Sequence, residues 1–164
     1  MAAADVVTQA VTAGTRTASV ANLTLASTAY SHSAQTSTGT MTLTADDSTG
    51  SNLGWNVTVL SSAFVYSGGN NGTNIPAANF ALTSAAAPVM TAGQAVDTLG
   101  VGGPKVPLTS PVGTLDLARK TVQAALLFGN GTYTQAFGVS LTVPAQSAAG
   151  TYTGTLTTTI AAAP

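Results

Sequence analysis

Alternation of side chains with a period of two is the sequence feature that most constrains this fold. In residues 151–160, Thr occupies every odd position, while Tyr152, Leu156 and Ile160 occupy even positions. Successive side chains of a β-strand point to opposite faces of a sheet, so this segment predicts a strand with one wet face and one mostly apolar face. Residues 38–45 repeat the arrangement, with Thr at every even position. The pattern therefore predicts short antiparallel strands.

Segments of this kind recur along the chain, separated by turns rich in Gly, Asn, Asp and Ser, as at residues 46–50 and 67–72. Asn130-Gly131 predicts the tip of a hairpin that joins residues 126–128 to residues 133–137. The predicted strands cover residues 6–11, 18–26, 39–45, 55–60, 64–66, 80–83, 122–128, 133–143 and 151–160.

Two regions depart from the strand pattern. Residues 76–111 are rich in Gly, Pro and Ala, with three prolines between positions 104 and 111, which predicts a long surface excursion within the domain. Residues 116–120 favour one helical turn. The predicted organisation is an N-terminal arm or first strand over residues 1–14, followed by one domain over residues 15–164. Because a short linker separates that first strand from the rest, it could be swapped into a neighbour's sheet.

The small number of charges limits the class of protein. Of the 164 residues, 5% are charged and the net charge is -1, which argues against nucleic-acid binding because that needs clustered Lys or Arg. A nearly uncharged surface is typical of a protein that self-associates or lies on another surface. The four basic residues are Arg16, Lys105, Arg119 and Lys120.

The sequence also indicates where in or outside the cell the protein is located. There is no Cys, so disulfides and thiolate metal sites are excluded, and no apolar run has the length of a membrane span. Residues 1–5 resemble the end of an Ala-rich signal cleavage site with a start Met added. We therefore expect a secreted, extracellular protein in its mature form.

Residues for catalysis are scarce. The chain has no Glu and a single histidine, His32, and its five Asp residues are scattered without a nucleophile-elbow pattern. Acid–base and nucleophilic mechanisms need titratable groups held within hydrogen-bonding reach of one another. The sequence thus predicts a protein that is not an enzyme and needs no cofactor.

Asp46 and Asp47 form the one weak candidate for a metal site. They begin a run of carboxylate, hydroxyl and amide oxygens over residues 46–52, which are ligands suited to calcium. The run lacks the distal bidentate acid and the spacing of a helix-loop-helix calcium loop. An Asx-type turn between two strands is the alternative that we favour, and no metal site is predicted.

Trp55 has two interpretations, as a core anchor or as an exposed platform for sugar rings. Val57 and Val59 follow it on the same side of the predicted strand, which favours the core. Asn56 is then expected to face outward. It is one of four Asn-x-Ser/Thr sequences, at Asn22, Asn56, Asn71 and Asn130, a number that chance explains in a chain this rich in Asn and Thr.

Residues 53–59, Leu-Gly-Trp-Asn-Val-Thr-Val, and the C-terminal residues resemble the WxL domain family of bacterial cell-surface proteins. That family ends in the pattern Tyr-x-x-Thr-Leu-Thr-Trp-x-Leu-x-x-Ala-Pro. In this chain Tyr152, Thr155, Leu156, Thr157, Ala163 and Pro164 agree with it. Thr158 stands in place of the second Trp and Ile160 in place of Leu, while Trp55-Asn56-Val57 stands for the proximal Trp-x-Leu.

The resemblance implies an all-β, antiparallel β-sandwich, immunoglobulin-like or WxL-like, that associates non-covalently with the bacterial cell wall or its peptidoglycan. It also implies a role for Trp55, Val57, Tyr152 and Leu156, either in binding or in the core alone. We expect a non-catalytic surface domain with a structural or adhesive role. The alternative is a self-assembling extracellular filament or coat subunit, in which copies of the chain polymerise by β-strand donation.

Overall fold

The chain folds into antiparallel β-sheets, as the computed structural model shows for residues 6–96, 102–109 and 111–162. The strands are β1 Arg16–Val20, β2 Gln35–Asp47, β3 Trp55–Ser61, β4 Val65–Ser67, β5 Phe80–Ala85, β6 Val89–Gly93, β7 Gly113–Thr114, β8 Arg119–Ala124, β9 Gly131–Val143, β10 Thr151–Thr153 and β11 Leu156–Ala162. A 3-10 turn, Ala77–Asn79, precedes β5. The all-β prediction is confirmed.

The main sheet is organised around the long pair β2 and β9. These two strands pair along 13 residues each, from Gln35 opposite Val143 to Asp47 opposite Gly131. The sheet has the order β1-β2-β9-β5-β7, and β6 pairs with β9 beside β5. Alternate residues of β2, such as Met41 and Leu43, are buried while the Thr residues between them are exposed, as the period-two pattern predicts.

The opposing layer consists of the sheet β11-β3-β8 and the pair β10-β4. The pair β10-β4 continues the pairing of β11 with β3 after a short interruption. At this interruption the Ser62 hydroxyl accepts a hydrogen bond from the Thr155 backbone N–H at 2.9 Å. The predicted single strand over 151–160 is thus divided at Gly154 and Thr155. Side chains of both layers form one core, including Leu43, Phe137 and Val139 from the main sheet and Trp55, Val57, Val59 and Val122 from the other. The result is a β-sandwich.

The predicted hairpin around Asn130 is wrong. Strand β8 ends at Ala124 and pairs with β3, whereas β9 belongs to the main sheet, so residues 125–130 connect two layers. Hydrogen bonds to the opposing layer, at and just before the start of β3, hold this connection in place: the Asn130 side chain donates to the Asn52 side chain at 2.6 Å. The Gly129 carbonyl accepts from Trp55, and a side chain at the Gly129 position would collide with that ring.

The prediction that residues 76–111 form a surface excursion is wrong in part, because this region contributes strands β5 and β6 to the main sheet. Strand β5 confirms the strand predicted over 80–83, and β6, which the sequence pattern did not reveal, also pairs with β9. Gly102–Pro104 and Pro107 are buried. Residues 97–101 and 110 of this region lie outside the described residues.

Two other expectations differ from the structure. Residues 116–120 form no helical turn, because Arg119 and Lys120 begin β8 and pair with β3. Residues 6–15 form no strand in the isolated chain and are exposed throughout, and the first hydrogen bond of this segment to the domain joins the Gly14 N–H to the Ser48 carbonyl at 3.0 Å.

Candidate functional site

The proximal motif residues, Trp55 and Val57, lie in the core. Both are fully buried. The Trp55 indole N–H donates a hydrogen bond of 2.8 Å to the Gly129 carbonyl, and its ring lies 5.9 Å from the ring of Tyr133. Since their neighbours along the strand alternate between buried and half-buried, this placement follows from the period-two pattern. Neither side chain reaches the surface where a ligand would bind.

The distal motif residues, Tyr152 and Leu156, are half-buried. Leu156 packs against the core, opposite Ser61 in the β3 ladder. The Tyr152 ring lies 5.3 Å from the ring of Tyr66, and its hydroxyl donates to the Ala148 carbonyl at 2.8 Å. Tyr152 also lines a groove, so of the four motif positions it is the one placed beside an open cavity.

This groove, which we call the end groove, has a volume of about 640 Å³. One wall is the irregular segment over residues 23–31 between β1 and β2, and the other is residues 147–154, which include β10. Met41, Phe64, Phe80 and Leu141 supply an apolar floor. No charged side chain lines it. Sequence reasoning missed the end groove because its two walls are more than a hundred positions apart and only the fold brings them together.

A second feature is a hydroxyl-rich surface on the outside of the main sheet, which we call the hydroxyl face. The exposed Thr residues of β2 lie directly opposite residues of β9 or β1 on the same face: Thr36 opposite Thr142, Thr38 opposite Ser140, and Thr44 opposite both Thr134 and Ser19. Thr40 and Thr42 lie between them, opposite Gly138 and Ala136. Opposed residues on one face stand about 5 Å apart, so the hydroxyls form a continuous uncharged array that ends at Asp46.

Asp46 and Asp47 follow each other at the end of β2, and each has its own partners. The Asp47 carboxylate is buried and lies 3.0 Å from the Arg16 guanidinium, while the Thr49 hydroxyl and backbone N–H donate to it at 2.6 and 3.0 Å. Burial opposes the charged form of Asp47, but these donors and the Arg16 charge outweigh it and lower the pKa of this carboxyl. Asp46 accepts from Ser48 and Thr132, each at 2.6 Å.

These contacts make an Asx-type turn and an ion pair at the corner. Among the described residues, no group of three or more His, Cys, Asp or Glu side chains could hold a metal ion. The His32 ring contacts the Tyr30 ring edge-on at 5.3 Å, and within the described chain no hydrogen bond joins it to a Ser hydroxyl or to an Asp carboxylate. In the same part of the chain, no helix is long and apolar enough to cross a membrane.

Together, the two packed antiparallel layers, the small number of charges and the open groove define an all-β sandwich domain. The family model of the WxL domain, described as a surface cell wall-binding domain, matches residues 5–164. This chain belongs to the WxL family. Neither the curated proteins nor the solved structures that were compared include a match.

Proposed function

We propose that this chain is a non-catalytic extracellular domain with a structural or adhesive role, and that it contacts the wall polymer through the hydroxyl face. The family's surface, cell wall-binding character supports the general role. The observation that carries the specific proposal is the array of opposed hydroxyls over β1, β2 and β9, which is free of charge up to Asp46.

The chemistry of this face suits a polysaccharide. Each Thr or Ser hydroxyl donates one hydrogen bond and accepts two, as sugar hydroxyls and N-acetyl groups require. A Thr methyl group beside each hydroxyl offers contact to the apolar faces of sugar rings. Trp55 and Val57 have no part in this contact, and in our proposal they support binding only by holding the two layers together.

Replacing Thr38, Thr40 and Thr42 together by Val tests the hydroxyl face. Val has nearly the shape of Thr and favours strands equally, so the exchange removes hydroxyls without a change of fold. A hydrogen bond contributes about 1 kcal/mol net, so the loss of even two of them is expected to weaken binding at least tenfold. Sedimentation with purified peptidoglycan measures the effect.

Thr157→Val with Thr159→Val is the matched control, because both residues are exposed on β11 in the opposing layer. This control is expected to bind like the wild type. Equal binding by the triple variant and the wild type would show that the wall polymer contacts another surface.

A second candidate function, assembly into filaments or coats by β-strand donation, is favoured by a separate observation. Val6, Val7 and Val11 are at least 90% exposed in the single chain, although burying a Val side chain is worth about 1.5 kcal/mol. Three exposed valines on an uncharged segment form a surface that is expected to be covered by another molecule. The low net charge permits close stacking of copies.

Removal of residues 1–14 tests this second function. We expect the full chain to form filaments or sheets at high concentration in electron micrographs, and the shortened chain to remain a monomer in scattering experiments. The circular dichroism spectrum should stay that of a β-protein, because residues 6–13 add no strand to the domain. A full chain that is monomeric at all concentrations would exclude assembly.

A further inference from the structure

The N-terminal arm, which we define as residues 6–13, has the pattern of a strand without a sheet. Its sequence is Val-Val-Thr-Gln-Ala-Val-Thr-Ala, so Val7 and Val11 would fall on one side of an extended chain, with Gln9 between them. The only hydrogen bond of these residues that the structure contains joins the Gln9 side chain to the adjacent Ala10 carbonyl. Within the described residues, the arm's backbone N–H groups and all of its carbonyls except that of Ala10 are thus without a partner and available for pairing in a sheet.

The walls of the end groove offer unpaired backbone groups on both sides. Within the described residues, strand β10 pairs with β4 alone, and all three of its residues line the groove. On the opposite wall, no backbone N–H of residues 22–30 donates a hydrogen bond within the described chain, and Ala26 is the one residue of this segment whose carbonyl accepts, from Ser37 at 2.9 Å. Two such edges are what an inserted strand requires.

The floor of the end groove complements the side chains of the arm. Met41, Phe64, Phe80 and Leu141 are apolar, as are Val7 and Val11. Ser37 and Ser61, both largely buried at the groove, retain acceptor capacity on their hydroxyl oxygens for the Gln9 amide. Neither the arm nor the groove contains a charged side chain, so insertion removes no charge from water.

The arm and the end groove lie at opposite ends of β2. The arm joins the domain where Gly14 bonds to Ser48, just past the end of β2, whereas the groove extends from Gln35 and Ser37 at the beginning of β2 to Met41 in its middle. Thirteen residues of β-strand span about 40 Å. Eight extended residues reach at most about 29 Å, so the arm cannot fill the far end of its own chain's groove.

We infer that residues 6–13 of one copy insert as a strand into the end groove of the next copy, between residues 22–30 and β10, with Val7 and Val11 on the apolar floor. This inference rests on the second candidate function above and names its acceptor site. Because donor and acceptor lie at opposite ends of the sandwich, the contact joins two different surfaces, and repeated contacts of this kind build an open filament or, where the rotation between copies closes, a ring.

Two full-length variants test the junction separately. Val7→Asp with Val11→Asp disables the donor arm and leaves the groove intact. Ala26→Arg with Thr28→Arg fills the groove from two exposed lining residues and leaves the arm intact. Analytical ultracentrifugation measures the mass of each variant alone and of their equimolar mixture, with Thr157→Arg and Thr159→Arg on β11 as the control for added charge.

The wild type and the control are expected to form chains of increasing mass, and each disabled variant should remain at 16.0 kDa. Their mixture should stop at twice that mass, because one intact arm meets one intact groove and no further junction is possible. A groove variant that assembles like the wild type while the arm variant stays monomeric would overturn the acceptor site but leave assembly standing. A wild type that never assembles would overturn both.

Discussion

Trp55→Ala should lower the free energy of unfolding by about 3–5 kcal/mol, the usual cost of deleting a buried aromatic side chain. The ring has no solvent-exposed surface, packs across the two layers beside Tyr133 of β9, and holds the connection between the layers through its hydrogen bond to Gly129. The substitution therefore opens a cavity between the sheets and also leaves the Gly129 carbonyl without its donor. Urea unfolding followed by circular dichroism measures the change.

Leu53→Ala is the matched control, two residues earlier in the chain, because its side chain is 52% exposed. It should change stability by less than about 0.5 kcal/mol, as exposed positions usually do. Trp55→Phe should lie between the two, since it keeps much of the ring but loses the buried hydrogen bond, at a cost of about 1–3 kcal/mol. If Trp55→Ala and the wild type had the same midpoint of urea unfolding, the ring could not be buried as the structure places it.

Trp55→Phe also separates the two roles of the family motif. Under conditions where this variant is folded, our proposal predicts peptidoglycan binding equal to that of the wild type, because the ring lies away from the hydroxyl face. Weaker binding by a fully folded variant would instead place the motif in the binding site.

Local alternation in the sequence was sufficient to predict most strands. The Thr rows at 38–45 and 151–160 and the Trp55, Val57, Val59 series assigned one face of each strand to the core, because a strand's period is short enough to show in a few residues. Strand β6 escaped detection since all five of its residues are exposed and it contains no alternation of burial. Its place in the sheet comes from hydrogen bonds to β9.

Long-range pairing could not be predicted in the same way. Asn130-Gly131 is a common hairpin sequence, yet here the flanking strands belong to different layers, because β8 pairs with β3 and β9 with β2. The end groove and the ion pair of Arg16 with Asp47 also depend on contacts between distant segments. No local pattern in the sequence encodes such contacts.

The second large effect on stability is expected from the ion pair between Arg16 and Asp47, which lies where the N-terminal arm joins the domain. Arg16→Met should destabilise the fold by about 3 kcal/mol at neutral pH, because it leaves the buried Asp47 carboxylate with the Thr49 donors but without its cation. Met retains the apolar stem of Arg and lacks only the guanidinium group, so the loss reflects charge and hydrogen bonding more than packing of the stem. Urea unfolding at pH 7 measures the change.

The pH dependence of this destabilisation shows whether the charge on Asp47 causes it. In the wild type the pKa of Asp47 is lowered, so its stabilising contribution is present above the unfolded-state value of 3.8 and is lost as the pH falls through the lower folded-state value. Burial raises the pKa of Asp47, and without Arg16 only the hydrogen bonds from Thr49 oppose it. The pKa of Asp47 is therefore higher in the variant than in the wild type. The difference between variant and wild type should therefore be largest at neutral pH and shrink at acidic pH, where Asp47 becomes neutral in both proteins.

Lys120→Met is the control for loss of one positive charge, because no carboxylate pairs with Lys120 within the described residues. It should change stability by less than about 0.5 kcal/mol and show no such shrinkage. A constant difference between Arg16→Met and the wild type from pH 7 down to strongly acidic pH would mean that Arg16 stabilises β1 by packing and by its hydrogen bonds to the Thr49 and Ser51 hydroxyls, and that the charge on Asp47 contributes nothing. A difference that shrinks with acid assigns the effect to the buried ion pair, which then fixes the point where the arm leaves the sandwich.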